Sequence, residues 1–312
     1  QILWYNQLYH PDRQHLAEKI YPVIRETALF YCSFAEKCQR DGDGRAKFGP
    51  SYSPEHGEFG VDNTPFDLAY ARYSMKAGIA AAQELGRDPE LVTRFRKALD
   101  LLPDYPTAPG AEGKPVVVDW TGCKFRQINE HNLTVPVVPV FPGDQVTWFS
   151  PEPEKELFRN TIRQTRHIGL NATIIMSVVK ARFSMPEACD DLRNYYKPLS
   201  QPNGLFFVPG CGYYLVESVG IAAAISEFLL QSVDHTLRIF PCWPKDKDAS
   251  FTNLRAQGGF LVSAEQKDGE VTKLEITSTV GGTLRLLNPW TGKIVERATR
   301  PGQRLEFNGK EE

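Results

Sequence analysis

No stretch of this sequence is apolar for the roughly 20 residues that a membrane-spanning helix needs. The best candidate, Val219 to Leu230, is too short and holds Ser226 and Glu227, so no membrane insertion is expected. The chain also lacks an excess of either charge: 36 Lys and Arg stand against 38 Asp and Glu, a net charge of -2. Nothing in that balance draws a polyanion, and nucleic acid is not an expected partner. Cysteine pairs are missing as well. Cys32, Cys38, Cys123, Cys189, Cys211 and Cys242 are scattered with no CxxC, which excludes a zinc knuckle and a dense disulfide framework. Buried free thiols are the expectation, with one or two disulfides open should the protein be exported. There is no GxGxxG after a strand, no GxxxxGK[ST], no HExxH and no GxSxG elbow, and with them go the common dinucleotide, P-loop, metalloprotease and serine hydrolase sites. The histidines are dispersed, so spacing argues no metal site, and no cofactor is expected. The first residues, Gln1-Ile2-Leu3-Trp4, carry neither an initiator Met nor a signal peptide pattern, and a processed chain or a fragment is expected.

What is present reads as helices followed by strands. The 312 residues, 41% of them hydrophobic and 24% charged, suit about two globular domains. From Pro11 to Cys38 apolar residues recur at helical spacing through Leu16, Ile20, Ile24, Ala28 and Tyr31, and Pro22 should kink that helix. Thr64, Pro65 and Asp67 form a capping box, a stripe runs from Leu68 to Leu85, and Gly86 ends it. Another helix starts at Asp88-Pro89 and stops before Pro103. The proline-rich stretch from Pro103 to Phe149 reads as a long ordered loop, since Trp120, Phe125, Phe141 and Trp148 argue against disorder. Helices resume after Ser150-Pro151 and over Asn171 to Phe183. Ser184 and Glu187 read as a further capping box, and a last helix covers about Val216 to Ser232. Five short strands are then predicted, at Thr236–Phe240, Leu254–Val262, Val271–Thr279, Gly282–Leu287 and Ile294–Ala298, separated by glycine turns. The expected architecture is a helical domain over residues 1–235 and a small antiparallel β domain, a β-sandwich, over 236–312.

Three segments could carry chemistry. In Gly49-Pro50-Ser51-Tyr52-Ser53-Pro54-Glu55-His56-Gly57 a carboxylate and an imidazole sit on a Pro- and Gly-fixed loop between helices. Such a loop is a suitable mount for a catalytic group, and burial between helix ends would raise a Glu pKa toward that of a working acid. The plain alternative is a solvated turn. In the long loop, Asp119-Trp120 and Glu130-His131-Asn132 combine a flat apolar face with polar groups that orient hydroxyls, which suits a sugar. A core Trp with polar neighbours fits those residues equally well. Glu217, at the entry of a very apolar helix, is either a working acid or a partner of the helix dipole. Glu227, deeper in that helix, reads as a structural hydrogen-bond acceptor.

The segment Pro50 to Glu55, the Asp67 helix, Phe141-Pro142-Gly143, Glu227-Phe228-Leu229-Leu230-Gln231-Ser232 and Arg255-Ala256-Gln257-Gly258-Gly259-Phe260 together resemble glycoside hydrolase family 95, in the family's order and over nearly the whole chain. That family contains α-L-fucosidases and α-L-galactosidases. The resemblance implies an (α/α)6 toroid of the six-hairpin glycosidase type, here without its first helices, followed by a β domain. It implies inverting hydrolysis of an α-L-fucoside or related terminal glycoside in a glycan substrate, no cofactor, and a secreted or periplasmic location. Glu55 falls on the general acid, and His56, Asp119, Trp120, His131 and Asn132 become candidate substrate contacts. The family's catalytic Asp falls on Val216, with Glu217 beside it. Either Glu217 takes the base role or the base is absent. The second case describes a degenerate, carbohydrate-binding member. A helical interaction scaffold is a third reading. The hydrolase reading expects Glu55 and Glu217 to share one funnel, since inversion needs acid and base roughly 6.5–9.5 Å apart.

Overall fold

The computed structural model of the chain describes residues 1–54, 58–129, 133–167, 170–208 and 212–309. By internal contacts these fall into two units, residues 1–7 with 12–172 and residues 8–11 with 173–312. This division differs from the boundary expected at 235/236, because the last helices group with the strands. No helix among the described residues is long and apolar enough to cross a membrane.

The first unit opens with α1 (Ile2–Tyr9), which runs into the second unit, and a short turn α2 (Arg13–His15). A π-helical turn, Leu16–Ile20, then leads into α3 (Tyr21–Lys37). Pro22 stands directly after this π turn, where the regular α-helical hydrogen-bond ladder is interrupted. It is the second residue of α3, and with no N–H to donate it coincides with the change of hydrogen-bond register from π to α. After the β1 (Ser51–Tyr52) and β2 (Phe59–Val61) hairpin comes α4 (Pro65–Leu85). Thr64 caps it through the Asp67 N–H at 3.1 Å, and Gly86 closes it at φ 67 in the left-handed region. Asp88, at φ 48, precedes α5 (Pro89–Leu101) without capping it. Its carboxylate instead accepts the Tyr21 hydroxyl at 2.5 Å. Helices α3, α4 and α5 share one core of Ala28, Cys32, Leu68, Met75, Phe95 and Ala98. A Cβ on Gly78 would stand 2.9 Å from the Ala28 Cβ and 3.1 Å from the Phe95 ring, so glycine is what lets the three helices approach.

The long stretch after α5 is non-helical in the main, as expected, and carries a hairpin, β3 (Thr107–Pro109) with β4 (Pro115–Val117), then β5 (Ile128–Asn129). The Phe141-Pro142-Gly143 turn lies against α4, where a Gly143 Cβ would meet the Val138 carbonyl at 2.5 Å and the Ala69 Cβ at 3.0 Å. Then come α6 (Glu152–Gln164) and β6 (Arg166–His167), which pairs in parallel with β5. Helix α7 (Leu170–Arg182) passes into the second unit.

There α8 (Ala188–Tyr196), the hairpin of β7 (Phe206–Val208) and β8 (Gly212–Tyr214), and α9 (Leu215–Leu229) follow. The expected capping box at Ser184 and Glu187 does not form. Ser184 sits at φ 52, its hydroxyl accepts from the Arg238 guanidinium at 2.5 Å, and Glu187 makes no side-chain cap. Gly220 lets α9 approach α7, since a Cβ there would lie 2.6 Å from Ile174. The carboxylate of Glu227 accepts two bonds from Arg182, both at 2.7 Å. This is the structural acceptor role expected of Glu227.

Helix α9 stops at Leu229 rather than at Ser232, and Leu230–Gln231 form strand β9. Strands β10 (Thr236–Ile239), β11 (Ala249–Ala256), β12 (Phe260–Lys267), β13 (Glu270–Ser278), β14 (Gly282–Leu287), β15 (Ile294–Thr299) and β16 (Arg304–Phe307) complete two sheets, ordered β15-β14-β10-β9 and β11-β12-β13-β16. The strand expected over Leu254–Val262 is two strands, split at Gly258 and Gly259, both at positive φ. The β region is not purely antiparallel, because β10 pairs with β14 in parallel. Leu237, Leu284 and Leu286 from one sheet share a buried core with Phe260, Val262, Leu274 and Ile276 from the other. Burying each such side chain stabilises by about 1.5–3 kcal/mol.

Cys32, Cys123 and Cys242 are buried and, with Cys38 and Cys189, are free thiols. Burial pushes the Cys32 thiol up to about 11 and the Cys242 thiol up to about 12. Both thiols should resist an aromatic disulfide reagent at pH 8 until the chain is unfolded. Because these folded-state values exceed the unfolded one, stability should hold below about pH 8.5 and decline as the pH climbs toward 11, which thermal melts at pH 8 and 10.5 measure. Replacing Thr64 by Ala should lower the unfolding free energy by about 1–2 kcal/mol in urea titration, and replacing it by Ser should largely spare it.

Candidate active site

The segment from Lys47 to Thr64 returns on itself, and its base is held by one buried side chain. Asn63, in the left-handed region at φ 60, accepts the Phe48 N–H on its Oδ1 at 2.7 Å and donates from Nδ2 to the Thr121 hydroxyl at 2.9 Å. The backbones pair too, Asn63 N–H to the Phe48 carbonyl at 2.9 Å and Thr121 N–H to the Asp62 carbonyl at 3.0 Å. Gly49 is required by contact, since a Cβ would fall 2.8 Å from the Val61 carbonyl. Above this base, Ser51 pairs with Val61 and Tyr52 with Phe59. The hydroxyls of Ser51 and Thr64 both donate to the Asp67 carboxylate. A carboxylate at a helix N-terminus is itself favoured by the dipole. The hairpin is thereby fastened to the first turn of α4 and to the second candidate loop. Between its strand ends lies the segment 53–58 that contains Glu55 and His56.

The second loop meets the first through Thr121. Trp120 is 8% exposed and belongs to a cluster with Val61, Val116, Val118 and Cys123, and the Arg126 guanidinium lies 5.4 Å above its ring. Of the two readings open for Trp120, the structure has the core ring, packed with Val61 of β2 and Val116 of β4. Asp119 is buried as well. Burial first, and the Asp119 charge second, push the Cys123 thiol upward, so Asp119 stands near that thiol. Further on, β5 is fixed by its pairing with β6 and by the Arg166 N–H to the Gln127 carbonyl at 2.7 Å. This anchors the chain just before His131 and Asn132.

Of the residues singled out in the sequence, Glu55, His56, His131 and Asn132 lie outside the described residues. Glu217 lies in the first turn of α9, by its backbone position. It belongs to the second unit, whereas Glu55 falls within the bounds of the first. Sequence reasoning missed Asn63 and Thr121, which hold the two loops together, and the aromatic pair Tyr52 and Phe59. The only local sign was that two aromatics flank the Ser-Pro-Glu-His-Gly turn. Two cavities are lined by residues other than these. One of about 630 Å³ in the first unit is lined by Arg72, Lys76, Asp104, Tyr105 and Glu154, and an apolar one of about 360 Å³ in the second unit is lined by Leu192, Tyr196, Ile221 and Phe228.

The family model for the glycosyl hydrolase family 95 catalytic domain matches residues 1–206 of the chain. The chain belongs to glycosyl hydrolase family 95. Glu55 lies inside the matched residues and Glu217 beyond them. Over 299 residues the chain is 26% identical to alpha-L-fucosidase 2 of Arabidopsis thaliana, covering 88% of this chain and 34% of that protein. It therefore spans about a third of the length of that curated relative. Among solved structures, a putative kojibiose phosphorylase from the human microbiome superposes with a TM-score of 0.52 at 11% identity, over 97% of this chain and 45% of that one, a likeness of fold. An α-L-rhamnosidase of Streptomyces avermitilis gives a TM-score of 0.45 at 17% identity, over 98% of this chain and 32% of that one.

Removing the Asn63 side chain should unfasten both loops. Asn63→Ala is expected to cost about 2–3 kcal/mol in urea unfolding, from two lost bonds and a buried N–H left unpaired, while Asn63→Asp keeps the Phe48 bond and costs less.

Proposed function

We propose that this chain forms the acid-bearing part of a glycoside hydrolase that cleaves an α-L-fucoside or a related terminal glycoside with inversion. The observation that carries the proposal is the hairpin clamped by Asn63, Ser51 and Thr64, which offers the segment holding Glu55 a rigid support. Family membership and the α-L-fucosidase relative supply the reaction class and the sugar. The helical portion is read as part of an (α/α)6 toroid, in accord with the fold likeness. A glycan substrate accords with a secreted or periplasmic location.

In this reading Glu55, protonated, delivers its proton to the glycosidic oxygen as the bond to the anomeric carbon breaks. A base removes a proton from the water that attacks the opposite face of the sugar. Glu217 is the base candidate, one residue beyond Val216. His56, His131 and Asn132 follow short strands or turns anchored by backbone bonds, and they are assigned to the sugar hydroxyls. Asp119 and Trp120 line the same loop, with Trp120 acting through packing rather than as an open stacking face.

Glu55→Gln should lower kcat on a fucoside with a poor leaving group by about 10²–10⁴-fold. It should spare hydrolysis of the glycosyl fluoride, whose leaving group needs no proton. Glu217→Gln should impair both substrates. Turnover of the poor-leaving-group substrate by Glu55→Gln at the wild-type rate would overturn the acid assignment.

A further inference from the structure

The hairpin that supports the acid segment displays a pair of aromatic rings to solvent. Tyr52 on β1 and Phe59 on β2 are cross-strand partners, and their rings stack at 4.6 Å between centroids with an interplanar angle of 26°. Phe59 is 83% exposed and Tyr52 40%. Other large side chains near the base of this hairpin, Phe48, Val61 and Trp120, are buried. Leaving a phenylalanine ring almost wholly in water forgoes its burial energy, and strands of two and three residues gain little of their own to offset that. Cross-strand stacking fixes the pair as one flat surface.

Covalent geometry ties this surface to the acid. Glu55 is three residues from Tyr52 and four from Phe59, so its Cα lies within about 11 Å of one Cα and about 15 Å of the other. That is the reach of one or two sugar rings. A general acid protonates the oxygen of the leaving group, so it stands on the leaving-group side of the bond it helps to break. A sugar ring has an apolar face of C–H groups that lies flat on an aromatic ring, as other apolar faces do.

We propose that Tyr52 and Phe59 form a stacking platform for the monosaccharide unit on the leaving-group side of the scissile bond. They would thereby set which glycans are cleaved without contacting the terminal sugar. The proposal rests on the assignment of Glu55 as the acid, and its test separates the two. Wild type, Phe59→Ala, Phe59→Trp and Glu55→Gln are compared on a fucosylated oligosaccharide and on fucosyl fluoride, which places nothing on the leaving-group side. Phe59→Ala is expected to raise KM for the oligosaccharide about tenfold, with kcat changed less, and to leave the fluoride kinetics unchanged, while Phe59→Trp restores the wild-type KM. Calorimetric titration of the oligosaccharide into each protein should show the same tenfold loss and the same rescue, and this readout needs no turnover.

Equal effects of Phe59→Ala on both substrates, or oligosaccharide affinity unchanged by Phe59→Ala, would overturn the platform. So would a lowered melting temperature with unchanged binding, which would mark the pair as a packing surface. Failure of the acid assignment looks different: Glu55→Gln would then turn over the oligosaccharide normally, whatever Phe59→Ala does.

Discussion

The candidate site depends on one amide. Asn63 occupies a backbone conformation that most residues avoid and that Asn tolerates better than most. From there its two ends reach Phe48 on one side and Thr121 on the other. Each bond alone contributes about 1 kcal/mol. Their joint effect is geometric, because they fix two loops that share no regular secondary structure longer than three residues. Catalysis of the kind proposed needs reacting groups held to fractions of an ångström. Short hairpins in water do not supply that order by themselves. The order comes from the buried base beneath them and from α4, whose first turn binds the hairpin through Asp67.

The second unit is organised by charge buried among apolar helices and strands. Arg182 and Glu227 form a bidentate pair, 8% and 19% exposed. Arg238 lies beside them and gives its guanidinium protons to the Arg182 carbonyl at 3.0 Å, to Gln231 at 2.7 Å and to Ser184 at 2.5 Å. Burial, then the neighbouring Arg182, pull the Arg238 pKa down. Desolvating these groups is costly and the net stability gained is small. What they do is specify position: the end of α7, strand β9 and strand β10 are brought to one register by a fork of fixed shape.

Local signals were readable where the determinants were local. Thr64, Pro65, Asp67 and Gly86 announced α4, and Pro89 announced α5, because caps and prolines act within one turn of themselves. Signals failed where distant partners decide. Ser184 and Glu187 have the spacing of a capping box, yet Ser184 serves Arg238, which is 54 residues away in the chain. The parallel pairing of β10 with β14 leaves no trace in either strand's own pattern. Gly258-Gly259 should have divided the apolar run at Leu254–Val262, and the alternation on both sides concealed it. At the site, Gly49 lies where the chain packs closely on Val61, and Ser51 two residues on is held to Asp67. Trp120 illustrates the opposite difficulty, since an indole reads the same in sequence whether it faces a cavity or a core. The Tyr52 and Phe59 pair lies on strands too short for alternation to register.

Helix α9 passes into β9 with no intervening loop, and β9 supplies the edge strand beside β10. The tail of one helix is therefore also the selvage of a sheet. A gene cut anywhere between Gln231 and Thr236 would leave that sheet with a raw border of unpaired amides. The carboxy-terminal strands are consequently poor candidates for exchange between homologues as an independent cassette. Selection on the helix and selection on the sheet act on the same few residues, and the two have to drift together.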